Sequence, residues 1–263
     1  MPVTQGPPPE DHTVSTPPAR SSAQPTKSRP GFKQFPGTYS LIAITLVVFL
    51  GQFLSIEFFQ FDWLLELGAK SRPEILAGEI WRFLTPMFLH VTIPHVLINM
   101  YSLYAIGPAV ERFFGTARFG AVYLLCGIAG VILSLAFSPY PSAGASGAIF
   151  GLLGSLGAFL YLHRDLFGRF GLIQLRQIVL VALLNLGLGL MPGIDNWGHL
   201  GGLLAGITLT LSLGPRYEVV WASVDDGRLV DRQPWGAIRV YFIAASGMLS
   251  ALALIVLLFL ASV

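Results

Sequence analysis

Between Arg118 and Arg164 the chain carries no Asp, Glu, Lys or Arg. That interval is punctuated once, by Ser138-Pro139-Tyr140-Pro141. A bilayer core of roughly 30 Å takes about 20 helical residues to cross, and the backbone of a crossing segment must satisfy its own hydrogen bonds. Two apolar segments joined by a proline turn therefore read as two transmembrane helices. Composition extends the point to the whole chain. Of 263 residues 54% are hydrophobic and 11% charged, against about 25% charged in a typical soluble domain.

Seven apolar segments follow one another near 39–56, 95–114, 117–137, 147–162, 176–193, 197–214 and 240–261. The expected fold class is an all-α polytopic membrane protein, a bundle with seven transmembrane helices. The stretch 57–94 mixes Trp, Phe and Pro with charges and reads as a partly embedded loop with short helices. Residues 1–36 hold nine of the eighteen prolines and little apolar surface, so they are expected to be a disordered cytoplasmic tail. They contain no apolar core of a cleavable signal peptide. Residues 37–214 would form a six-helix core. Residues 215–263 would add a cytoplasmic loop, expected to be a solvated connector over 215–239, and a seventh helix.

With the N-terminus inside, thirteen of the sixteen Lys and Arg residues fall on inner segments and three, Lys70, Arg72 and Arg82, fall outside. The positive-inside rule favours that orientation, and the C-terminus then lies outside. It sets Ser146 and His199 on the same, outer side. A net charge of +2 without a basic stripe speaks against a nucleic-acid partner. Cys126 stands alone in an apolar run and reads as a small core residue.

Ser146 lies in Gly144-Ala145-Ser146-Gly147-Ala148-Ile149-Phe150-Gly151 and His199 in Asn196-Trp197-Gly198-His199-Leu200-Gly201-Gly202. Each opens an apolar segment. A polar side chain in lipid is costly and usually has a job. A hydroxyl becomes a nucleophile when a base takes its proton and the developing oxyanion is stabilised. Gly202 and Gly206 follow His199 at i+3 and i+7, a spacing that lets two helices approach closely. Ser146 alone reads equally as a helix N-cap in a small-residue packing motif; paired with His199 at matching depth it reads as catalytic. His95 and Asn99, at i and i+4, share one helix face and can donate hydrogen bonds, either to an oxyanion or within a polar packing cluster. The three histidines lack the spacing and acidic partners of a metal site, so neither metal nor cofactor is expected. Asp195 lies four residues before His199; an N-cap role for Asp195 or Asn196 is the better reading than a third catalytic member.

Taken in order, Trp81-Arg82, then His90, His95 and Asn99, then Glu111-Arg112-Phe113-Phe114-Gly115, then Gly144-x-Ser146-Gly147, then Gly198-His199-x-x-Gly202-x-x-x-Gly206 resemble the signature of rhomboid intramembrane serine proteases over about residues 40–214. The resemblance implies a Ser146–His199 dyad, with the Ser146 amide, His95 and Asn99 holding the oxyanion. It implies structural support from His90, Trp81, Arg82, Glu111, Arg112, Gly144, Gly147, Phe150, Gly198 and Gly202. Phe150 stands where some bacterial members carry a tyrosine stacked on the histidine, and Gly198 where alanine is common. The implied partners are the bilayer and single-span transmembrane substrates, cleaved near the outer face of a plasma membrane, most simply a bacterial one. The fifth segment, with Asn185, would flank substrate entry. A non-catalytic relative that binds transmembrane clients is the alternative. A transporter would call for discontinuous helices or internal repeats, and neither is seen. Oligomeric state is not legible.

Overall fold

The computed structural model describes residues 33–223 and 226–262; the expected disordered tail lies almost wholly outside them. Seven long helices match the seven apolar segments: α1 (Pro36–Phe59), α4 (Ile93–Phe114), α5 (Thr116–Phe137), α6 (Ser146–Leu162), α7 (Arg164–Leu188), α8 (Asn196–Leu213) and α9 (Trp235–Ala261). Between α1 and α4 lie two short helices, α2 (Trp63–Gly68) and α3 (Arg72–Leu76), and two 3₁₀ turns, Ile80–Phe83 and Thr85–Phe88. This is the broken structure expected for 57–94. α1, α5, α7 and α9 are each long and apolar enough to cross a bilayer; α6 is a shorter apolar helix. The protein is an all-α polytopic membrane bundle with one small β-hairpin.

α6 is the central element. Twelve of its seventeen residues are buried, and it packs against α4, α5, α7 and α8. The core around it is built from Leu103 and Val110 of α4, Val122, Tyr123 and Cys126 of α5, and Leu152 and Phe159 of α6. α1, α7 and α9 instead present apolar side chains outward, among them Val47, Leu183 and Ile243. Such exposure suits a lipid solvent. Cys126 is a buried free thiol against Gly151, the small core residue expected.

Two boundaries depart from expectation. α7 begins at Arg164, twelve residues earlier than the apolar segment suggested, and ends at Leu188. Arg164, Asp165, Arg169 and Arg176 lower the hydropathy of its first half without breaking the helix. A kink at Gly168 (φ 51°, ψ −137°) joins the polar and apolar parts. The segment 215–239 is exposed along most of its described residues, but it is an ordered element rather than a plain connector. It forms β1 (Tyr217–Ser223) and β2 (Asp226–Asp231), antiparallel, with Val219 opposite Leu229. The hairpin is anchored to the bundle. Tyr217 Oη donates to the Phe113 carbonyl (2.7 Å) and Tyr217 N to His163 Nε2 (2.9 Å). Buried Arg118 reaches Asp231 (3.3 Å) and the Gln233 carbonyl. A guanidinium taken out of water must be paired; Nη2 makes both of these contacts, while Nε and Nη1 are buried without a partner among the described residues.

Glu111 fixes the start of α1. Its Oε1 accepts from Gly37 N and Thr116 Oγ1, and its Oε2 from Thr38 N and Thr38 Oγ1, each at 2.8 Å. A carboxylate at a helix N-terminus gains from free amides and the helix dipole. Glu111→Ala strands these donors, two of them on buried Thr38, and is expected to cost about 3 kcal/mol. The unfolding midpoint in denaturing detergent should fall accordingly; an unchanged midpoint would show that the cap contributes nothing. Arg112 makes a different contact, its guanidinium lying 5.5 Å from the Phe35 ring centroid.

Candidate active site

α4, α6 and α8 begin, and α5 ends, at one end of the bundle, where Gly144 meets His95, Ser146 meets His199, and Ser134 meets Asp195. Glycine decides how close the two central helices come. A Cβ added at Gly202 would stand 1.9 Å from the Gly147 carbonyl oxygen, and one added at Gly206 1.9 Å from that of Gly151. At this separation Ser146 Oγ and His199 Nε2 are 2.9 Å apart. Ser146 is the first residue of α6 and its side chain caps nothing; its hydroxyl is turned to the imidazole.

The His199 ring is held flat against Phe150, with centroids 4.4 Å apart and planes 10° from parallel. His199 Nδ1 is buried and has no hydrogen-bond partner among the described residues. Asp195 makes no hydrogen bond to it; its oxygens accept from other donors. Oδ1 caps α8 by accepting from Gly198 N (3.0 Å). Oδ2 accepts from Ser134 Oγ (2.5 Å) and Ser142 Oγ (2.6 Å). With the ring proton on Nδ1, Nε2 is free to accept from Ser146 Oγ.

The remaining expected residues fall around this pair. Gly144 has φ +140°, and a Cβ there would meet His95 Cε1 and Nε2 at 2.8 Å and Ser146 Oγ at 3.7 Å. Only glycine lets the His95 edge, the turn and the hydroxyl converge. Asn99 is buried one turn further along α4, and its amide donates to the His95 carbonyl (2.9 Å). His90 Nε2 accepts from Ala145 N (3.4 Å), and its ring meets His95 edge-on at 5.0 Å. Buried Arg82 donates to Glu79 (2.7 Å) and to the Ala69 carbonyl (2.8 Å). Trp81 Nε1 donates to the Leu67 carbonyl (2.9 Å). Both tie the loop between α1 and α4 to itself. A cavity opens beside Ser146 and His199, walled by Pro86, Met87, Ser142 and Gly144. Asn185 lies away from it, donating to the Val181 carbonyl one turn back in α7 (2.8 Å).

A profile of the Rhomboid domain matches residues 77–216, more than half of the chain and the whole of this site. The chain belongs to the rhomboid family. Among its curated relatives, Rhomboid protease GluP of Bacillus subtilis (strain 168) is 42% identical over 179 residues, 67% of this chain and 34% of that protein. RHOMBOID-like protein 4 of Arabidopsis thaliana is 37% identical over 161 residues, 61% of this chain and 41% of that one. RHOMBOID-like protein 7 of the same plant is 37% identical over 185 residues, 66% and 58% respectively. The chain thus spans between about a third and three fifths of the length of these relatives.

This rhomboid holds its site with two further residues that residue type alone did not single out. Gln52, buried in α1, accepts from His90 N (3.0 Å) and donates to the His90 carbonyl (3.1 Å) and to Asp62 (2.8 Å). Lys70 is fully buried and donates through Nζ to the carbonyls of Ser138 (2.9 Å) and Tyr140 (2.7 Å). Burial pushes its ammonium down to about 8, with Asp195 opposing the shift and Arg72 adding to it. The one amide side chain inside segment 39–56, and one of only three cations expected outside, were the available signals.

Proposed function

We propose that this rhomboid is an intramembrane serine endopeptidase working through a Ser146–His199 dyad, on transmembrane segments that unwind near the outer face of the membrane. The observation that carries the reading is the 2.9 Å contact between Ser146 Oγ and His199 Nε2 on a cavity, with the ring clamped by Phe150. The Bacillus subtilis relative's name, Rhomboid protease GluP, agrees with it.

In this mechanism His199 Nε2 takes the Ser146 proton as Oγ attacks the scissile carbonyl carbon. The carbonyl oxygen becomes an oxyanion. The Ser146 N–H, a first-turn amide without an intrahelical partner, faces that charge together with the His95 imidazole and the Asn99 amide. The C–N bond then breaks, the imidazolium gives its proton to the leaving amine, and an acyl-Ser146 ester remains. Water attacks the ester with His199 again as base, which restores the hydroxyl. A helical carbonyl is hydrogen-bonded and shielded, so the substrate must be extended locally before it reaches Ser146. The distribution of Lys and Arg favours an orientation in which this site faces outward.

Cleavage of a single-span substrate in liposomes tests the reading. Wild type should cleave it, and a fluorophosphonate should label Ser146. Labelling and cleavage both absent across several helix-destabilised substrates would overturn the reading in favour of a client-binding membrane protein. The dyad also predicts a mild outcome at Asp195. Asp195→Asn is expected to keep kcat within about tenfold of wild type, whereas the same change in a Ser-His-Asp triad costs about 10⁴. A loss of four orders in kcat with folding intact would make Asp195 a third member.

A further inference from the structure

Lys70 is an unusual residue to find fully buried, and the peptide groups it holds are those that lead into Ser146. Its backbone pairs with Ser142 in both directions, Lys70 N to the Ser142 carbonyl (2.8 Å) and Ser142 N to the Lys70 carbonyl (3.0 Å). Its ammonium bonds the Ser138 and Tyr140 carbonyls of the same linker. Arg72 donates to the Leu135 carbonyl in the last turn of α5 (2.9 Å). Two outer-loop cations therefore grip the end of α5 and the linker to α6.

The linker carries that grip to both members of the dyad. Downstream, Gly144 N donates to the Pro86 carbonyl (2.9 Å), which sets the turn that presents Ser146. Sideways, Ser142 Oγ donates to Asp195 Oδ2, and Asp195 caps the helix that carries His199. Buried charge is weak evidence for stability. Three backbone carbonyls of one linker, two bonded through Nζ and one through the main chain, are a specific geometric assignment.

We propose that Lys70 is a positioning residue for the proposed protease site: its ammonium fixes the 138–142 linker so that the Gly144 turn and the Asp195-capped start of α8 hold Ser146 and His199 in register. The inference rests on the dyad reading and concerns Lys70 Nζ, which touches neither the hydroxyl nor the imidazole. A displacement of about 1 Å at reacting groups can cost about 10²-fold in rate. Removal of Nζ should therefore act on kcat and leave substrate binding largely alone.

The test compares wild type, Lys70→Met and Lys70→Arg, purified in full length and reconstituted in liposomes. Cleavage of one single-span substrate and the rate of Ser146 labelling by a fluorophosphonate are both normalised to the folded fraction. For Lys70→Met the expected result is a fall in kcat of about 10- to 100-fold, KM within about twofold, and a parallel fall in labelling rate. Lys70→Arg keeps donors and charge, and its kcat should lie between the other two at unchanged KM. It decides the matter if the methionine variant does not fold. Wild-type kcat per folded molecule in a folded methionine variant overturns the proposal. An arginine variant no better than methionine overturns it too. Failure of wild type itself to cleave or label would instead remove the protease reading, and Lys70's role with it.

Discussion

Ser146→Ala, His199→Ala and the double substitution are expected to lower kcat by the same factor, about 10⁵ to 10⁶, with KM little changed. The expectation follows from how the pair is built. Ser146 Oγ has one partner of catalytic type, His199 Nε2 at 2.9 Å, and His199 Nδ1 has no partner among the described residues through which a further group would act. The two side chains then work as one unit, and removal of either leaves the other without a task. Non-additivity of this kind is the signature of residues acting together. Cleavage assays at saturating substrate, with folding checked by the detergent-unfolding midpoint, separate the outcomes. Additive losses in the double variant would mean that serine and histidine act in different steps. Undiminished cleavage by Ser146→Ala would mean a different nucleophile.

Much of this architecture is legible in the chain because the physics involved is local. Seven apolar segments exist because lipid demands them, and the helices found over them agree closely wherever hydropathy changes abruptly, as at Phe114-Gly115-Thr116. Gly202 and Gly206 could be read as a close-packing stripe because helical periodicity alone places them on one face. Asp195 could be read as a cap because it precedes a helix start. What was not legible depends on partners distant in sequence. Nothing near Lys70 announces that its ammonium ends on carbonyls 68 and 70 residues away, and nothing near Gln52 points to His90, 38 residues on. The hairpin within 215–239 is hard to read for another reason. Its charges suggest a plain connector, and the adjacent Val219 and Val220 break a strand's alternation. The decisive anchor, Arg118 on Asp231, is 113 residues apart.

The same distinction bears on which outer charges are free. Lys70, Arg72 and Arg82 were the three cations expected outside, and all three are hydrogen-bonded to main-chain carbonyls. They act as internal struts of the loop between α1 and α4 rather than as a charged surface.

Alanine at Gly202 or Gly206 is expected to lower activity by at least about 10²-fold, although neither glycine touches Ser146 Oγ or His199 Nε2. The added methyl would stand 1.9 Å from a main-chain oxygen of α6, an atom that cannot rotate aside. Relief to ordinary contact requires α6 and α8 to separate locally by about 1.5 Å. A 2.9 Å hydrogen bond stretched by that amount no longer exists. Such a displacement costs at least about 10²-fold in rate, and overpacking the centre of the bundle costs a further 1–3 kcal/mol or so of stability. Gly247 in α9 is the matched control, because a Cβ there meets nothing within 4 Å. Gly247→Ala should leave cleavage intact and stabilise its helix by about 0.5–1 kcal/mol. Cleavage, Ser146 labelling and unfolding midpoints of the three variants, measured side by side, check the argument. If Gly202→Ala labelled at the wild-type rate, the contact between α6 and α8 would be dispensable. The dyad would then have to be aligned by the outer loop alone, through Lys70 and the linker that it holds.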